Sequence, residues 1–154
     1  MPTLMDRASR LRRLIDSVAR GLRWLPPLVA RVTLGWTFFQ TGWGKLHSIP
    51  KVVAFFTELG IPAPEFQARL VATTEFLCGA LLLLGLFTRL ASLPLIVTMV
   101  VAILTAKRSD IASFSDLFGV MEYLYIALLL WLGVYGAGAL SLDRIFAKPQ
   151  AGGE

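Results

Sequence analysis

The chain has 154 residues, 56% of them apolar, with a formal net charge of +5 and a mean hydropathy of +0.68. That length allows one domain, and so apolar a chain has too little polar surface to cover a globule in water, so lipid is the expected solvent. A single cysteine, Cys78, excludes an intrachain disulfide, and a single histidine, His47, excludes bis-histidine haem ligation.

The fold these features predict is all-α, an integral membrane four-helix bundle with an N-terminal amphipathic interfacial helix and a short helix in the first outer loop. Residues 1–24 form a basic segment in which Leu11, Leu14, Ile15, Val18 and Leu22 recur at helical spacing between arginines. That pattern describes a helix lying in the headgroup layer against anionic lipid, the alternative being a disordered basic tail that only sets topology. Arg7, Arg10, Arg12, Arg13, Arg20 and Arg23 leave no apolar stretch for a cleavable signal peptide.

Residues 25–145 make the bundle. Apolar tracts run from Leu25 to Gly44, Leu70 to Phe87, Leu90 to Ala106 and Leu117 to Leu140, each close to the ~20 residues that span ~30 Å of hydrocarbon. Pro26 and Pro27 open the first, where proline is tolerated. The loop from His47 to Glu65 holds Val52, Val53, Phe55, Phe56 and Leu59 before Gly60, Pro62 and Pro64, a short helix that lies on the interface or covers the bundle mouth. A tight turn near Gly85 and Arg89 makes the second and third spans a hairpin, and Pro94 should kink the third unless neighbours satisfy the freed carbonyl. Lys107 to Asp116 is a short polar link without a motif, and residues 146–154 are expected to be a flexible tail. Basic residues at the N-terminus, Arg89, Arg144 and Lys148 outweigh those on the other side, which places both termini in the cytoplasm. No nucleic-acid partner is expected, since nothing folded accompanies the basic segment.

Ionisable and polar groups inside apolar tracts mark the candidate site: Arg31, Gln40, Lys45, Glu75 and Glu122. Depth along the helices pairs Lys45 with Glu122, allows Arg31 to reach Glu75, and lets Gln40 hydrogen-bond Glu75. Gly35, Gly42 and Gly79 allow close helix approach, and Glu75, Cys78, Gly79 and Leu82 share one face. These charges either fix helix register or form a proton relay beside a redox carrier. Cys78 reads as a packing residue, no bound metal is expected, and neither a phosphate-binding loop nor a Ser-His-Asp set is present.

The run from Arg31 through Gly35 and Gly42 to Lys45, then Leu59-Gly60-Ile61-Pro62, then Glu75-Phe-Leu-Cys-Gly79 with a leucine run to Gly85 and Thr88-Arg89, resembles the DoxX family of bacterial membrane proteins. The resemblance covers roughly residues 25 to 145 and carries over Arg31, Gly35, Gly42, Lys45, Glu75 and Gly79. It implies a multi-pass protein of the bacterial cytoplasmic (inner) membrane related to a subunit of thiosulfate:quinone oxidoreductase. On that reading no cofactor is covalently bound, and a quinone enters a mouth lined by Phe38, Phe39, Phe55, Phe56 and Tyr123, with a soluble or membrane redox partner. The alternatives are a noncatalytic anchor or scaffold for soluble partners and, more weakly, a small transporter acting as a homo-oligomer.

Overall fold

The computed structural model describes residues 4–138 and 140–146. Among them are eight α-helices and no strand: α1 (Leu4–Gly21), α2 (Leu25–Leu46), α3 (Ile49–Glu58), α4 (Pro64–Leu84), α5 (Thr88–Leu104), α6 (Phe114–Leu117), α7 (Met121–Tyr135) and α8 (Leu142–Phe146). The chain is therefore all-helical, with the expected helices at the N-terminus and in the loop after α2. Of the predicted tail, residues 147–154 lie outside the described residues, and Phe146 closes α8.

Helix boundaries differ from the apolar tracts where turn chemistry overrides hydropathy. Pro64 starts α4 six residues before Leu70, because proline fits a first turn whose N–H groups have no intrahelical acceptor, and Ala63 before it takes a left-handed conformation. The expected tract from Leu117 to Leu140 contains only the 15-residue α7, because Val120 is extended and Gly136 and Gly138 adopt positive φ. The helical assignment of α5 is unbroken across Pro94, and Thr98 Oγ1 donates to the Pro94 carbonyl at 2.9 Å. Among the described residues, only α4 is both long and apolar enough to cross a bilayer by itself; α5 and α7, with 17 and 15 residues, are shorter apolar helices.

Two helix pairs form the bundle, α2 on α4 and α5 on α7, joined by packing of α4 on α5. The α2–α4 contact is a backbone contact. A Cβ on Gly42 would collide with the Phe76 amide, one on Gly79 with the Phe39 amide, and one on Gly35 would lie 2.8 Å from the Leu83 nitrogen. Leu34, Phe38, Leu82, Leu95, Leu129 and Leu132 fill the space between the pairs. The outer faces are apolar as well: Val29, Val32 and Trp36 on α2, Leu70, Leu77 and Leu84 on α4, Leu93, Val97 and Leu104 on α5, and Leu124, Leu130 and Val134 on α7 are all exposed. So also is the stripe of α1, with Leu11, Leu14, Ile15 and Val18 each more than half exposed.

The link between α5 and α7 holds itself by polar contacts. Lys107 pairs with Asp110 at 3.2 Å, and the Asp116 carboxylate accepts the amides of Ser113 at 2.7 Å and Ala112 at 3.0 Å. Those hydrogen bonds, the Ser113 amide foremost, hold the Asp116 carboxyl below the usual carboxylate range. A depressed native value means that this contribution to stability is full above the unfolded value and fades as pH falls through the native one. The amide NMR shifts of Ala112 and Ser113 should accordingly titrate below the ordinary aspartate value of about 3.9; titration at or above it contradicts the cap.

Gly42→Val or Gly79→Val forces a side chain onto facing backbone and should destabilise by about 1–3 kcal/mol or more, read as the thermal unfolding midpoint in detergent. Gly44→Ala, at a helical site with no neighbouring atom within 4 Å, should leave the midpoint equal or raised.

Candidate functional site

On α2, Phe38, Thr41 and Lys45 follow one another at intervals of three and four and so share a face. The glycine contact brings α4 against that face and places Glu75, 1% exposed, beside it. Lys45 Nζ reaches both carboxylate oxygens, at 2.6 and 2.7 Å, and Thr41 Oγ1 donates to Oε2 at 3.0 Å. A buried carboxylate is tolerable only when compensated in this way, by a cation and hydrogen bonds together. The Lys45 side chain is one-third exposed, so the ion pair is closed toward the helices and open toward a cavity.

That cavity, of about 510 Å³, lies between α2, α3, α5 and α7. Its walls are mainly apolar, with Val52, Phe55 and Phe56 from α3, Leu59 just after it, and Met99 and Tyr125 from α5 and α7. Its polar end holds Lys45, Glu75 and Glu122, with Lys51 and Lys107 also in its lining. Glu122 Oε2 is buried without a hydrogen-bond partner among the described residues. The loop helix α3 packs against α4 and lines the cavity. An apolar chamber with ammonium donors and a spare carboxylate oxygen at one end suits a ligand with an apolar body and a polar, hydrogen-bond-accepting head.

The individual expectations divide. Lys45 pairs with Glu75 and not with Glu122, although all three line one cavity. Arg31 does not reach Glu75, because the fourteen residues to Lys45 put it about 21 Å away along α2. It is buried near the other end of the bundle, where Nη1 donates to the Ala137 carbonyl at 3.2 Å. Gln40 is exposed and makes no bond to Glu75; Thr41, one residue and ~100° further round, supplies it. Phe38, Phe55 and Phe56 line the cavity, and Phe38 meets Tyr125 edge-on at 5.8 Å. Phe39 does not: it stacks on Phe76 at 4.9 Å and on Trp36 at 6.2 Å. Nor does Tyr123, which packs against Phe118 at 5.0 Å, since its place two positions before Tyr125 turns it to another face. Gly35, Gly42 and Gly79 all sit in the α2–α4 contact. Sequence reasoning missed Thr41, Thr98, Met99 and Tyr125. The signal for Thr41 was its position four residues before Lys45, on the lysine's own face. Among the described residues no His, Cys, Asp or Glu cluster could hold a metal ion.

Removing either partner of a buried pair costs about 3–5 kcal/mol, and here the cost should be unequal. In Lys45→Met the Glu75 carboxylate is stranded in a buried site, whereas in Glu75→Gln the lysine can turn toward the cavity and Thr41 keeps an acceptor. Thermal unfolding in detergent should therefore rank Lys45→Met as the more damaging, with the double variant recovering part of the loss. Equal effects that simply add would remove the coupling inferred from the geometry.

The DoxX family profile matches residues 27–108, a stretch that begins at the third residue of α2 and takes in all of α3, α4 and α5. Among curated proteins, the chain is 30% identical over 128 residues to "Putative oxidoreductase CatD" of Bacillus subtilis, covering 82% of this chain and 90% of that one. It is 36% identical over 142 residues to "Uncharacterized membrane protein Rv3486" of Mycobacterium tuberculosis, covering 80% and 83% respectively. It is 32% identical over 124 residues to "Inner membrane protein YqjF" of Escherichia coli, covering 79% and 92%. No solved structure matches it. The family match over more than half the chain and these near full-length similarities establish that the chain belongs to the DoxX family.

Proposed function

We propose that the protein is a four-span protein of the bacterial inner membrane whose mouth binds the head of an isoprenoid quinone, as a subunit of a membrane-associated oxidoreductase. Membrane placement is supported by the exposed apolar residues on every long helix, a surface that water would make costly and lipid would not. It is also supported by the names of relatives in Escherichia coli and Mycobacterium tuberculosis as membrane proteins. At ~1.5 Å per residue α2 and α4 are about 33 and 32 Å long. The shorter α5 and α7 reach about 26 and 23 Å, so the bilayer thins beside them or flanking non-helical backbone is buried against the bundle. In this orientation both termini are cytoplasmic, and α1 lies in the inner headgroup layer with its apolar stripe toward the acyl chains.

The observation that carries the ligand assignment is the cavity ended by the Lys45–Glu75 pair. A quinone carbonyl oxygen accepts a hydrogen bond from an ammonium group, and the ring and first isoprene units occupy the space between Phe38, Phe55, Phe56 and Met99. Glu122, with a buried unpartnered oxygen, is the group in reach to exchange a proton with a reduced head. The electrons come from a redox partner, in keeping with the oxidoreductase name borne by the Bacillus subtilis relative.

The test is a quinone titration of the purified protein in lipid nanodiscs, with Glu75→Gln and Lys45→Met beside the wild type after folding has been checked. Saturable binding in the wild type, weakened about tenfold or more in the variants, fits the loss of a charge-assisted hydrogen bond worth roughly 1.5–3 kcal/mol. Absence of binding in the folded wild type rejects the quinone site and leaves a noncatalytic scaffold as the better account.

A further inference from the structure

The other end of the bundle carries a second cavity, built on a different frame. Asp143 of α8 caps α5: its carboxylate accepts the amides of Phe87 at 2.6 Å and Thr88 at 3.0 Å, while its own amide donates to the Gly85 carbonyl at 2.9 Å. The buried Arg31 side chain lies against Gly85 and ties down the loop after α7 through the Ala137 carbonyl. The acidic group of this corner is thus occupied in capping, and the charge of Asp143 falls on Arg31.

Two more cations stand on that frame without such use. Arg89 and Arg144 line an open cavity of about 570 Å³. Both are exposed, and neither guanidinium makes a hydrogen bond or ion pair with the described residues. Arg89 lies over Gly136, whose missing Cβ would sit 3.5 Å from its Nε and whose positive φ favours glycine. Apolar groups rim the same cavity, with Phe87 60%, Leu90 66% and Tyr135 72% exposed. Three guanidinium groups against one carboxylate leave the corner with an excess of two positive charges. A basic cleft beside exposed apolar side chains is complementary to a molecule with an anionic head and apolar tails.

We propose that this corner is a headgroup site for an anionic phospholipid, the phosphodiester oxygens bridged by Arg89 and Arg144 and the acyl chains lying along Leu90, Phe87 and Tyr135. The planar guanidinium matches phosphate oxygens in pairs, and basic clefts between helices on the cytoplasmic side attract the anionic lipids concentrated there. The inference rests on the membrane reading above, but not on the quinone site, which lies at the opposite end of α2.

Native mass spectrometry of the full chain in mild detergent, titrated with phosphatidylglycerol or with phosphatidylcholine of the same acyl chains, tests it. The wild type should retain one lipid with a preference for phosphatidylglycerol of about tenfold or more, and Arg89→Gln/Arg144→Gln should abolish the preference. Each single variant, read separately, should lose part of it, which keeps the test open if the double variant folds poorly. Leu90→Ser should weaken both lipids together. The control Arg12→Gln/Arg20→Gln on α1 should leave the preference intact; if it removes it while Arg89→Gln/Arg144→Gln does not, the site is not in this corner. Equal affinity for the two lipids overturns the proposal, and so does displacement by millimolar inorganic phosphate with no dependence on acyl chains, which would make this a free-phosphate site. Quinone binding in the Arg89→Gln/Arg144→Gln variant separates the two sites: its retention beside lost lipid preference shows two independent functions.

Discussion

Everything in the half of the molecule that holds the Lys45–Glu75 pair depends on how closely α2 and α4 approach. Three glycines let backbone meet backbone, and one of them, Gly42, lies three residues before Lys45 and touches the chain at Glu75 and Phe76. An ammonium and a buried carboxylate can be held at 2.6 Å only if the helices that carry them are at a fixed distance and rotation. The glycines supply that restraint without adding polar atoms, so the packing motif and the polar motif of this face are one feature. Larger residues at Gly42 or Gly79 would separate the charges before they broke the bundle.

The same closeness explains the cavity. With α2 and α4 drawn together and α5 and α7 forming the second pair, the space left between the pairs is filled by leucines toward one end. Toward the other it is left open beneath α3. Helix α3 is short and apolar, none of its residues is fully buried, and it meets the bundle mainly through α4. It is the part of the wall with fewest contacts to lose if a ligand is to pass.

Much of this was legible in the sequence, and the failures are instructive. The helical class, the four long segments, the loop helix and the helical periodicity of α1 all follow from patterning, because the spacing of apolar residues reports on helix faces. The glycine contact was legible from small residues at helix-face spacing. What depth alone could not give was rotation: Gln40 and Thr41 are at nearly the same height, as are Tyr123 and Tyr125, yet only Thr41 and Tyr125 face the cavity. The partner of Lys45 was missed for an axial reason: the glycine contact sets Gly42 against Glu75 and Phe76, which brings Glu75 within reach of Lys45 three residues further along α2. The role of Asp143 had no local signal, because it caps a helix 55 residues away in sequence.

That last contact bears on the order in which the molecule can be made. The amides of Phe87 and Thr88 open α5 and meet their acceptor only after those 55 further residues have followed them. While α5 and α7 are being laid down, the start of α5 has no carboxylate from α8 to cap it, and the hydrogen bonds of the turn at Gly85 are those of its own backbone to Leu81 and Leu82. During synthesis the α4–α5 hairpin therefore begins as a loosely closed unit and is latched from behind by α8, the last helix of the described chain to emerge.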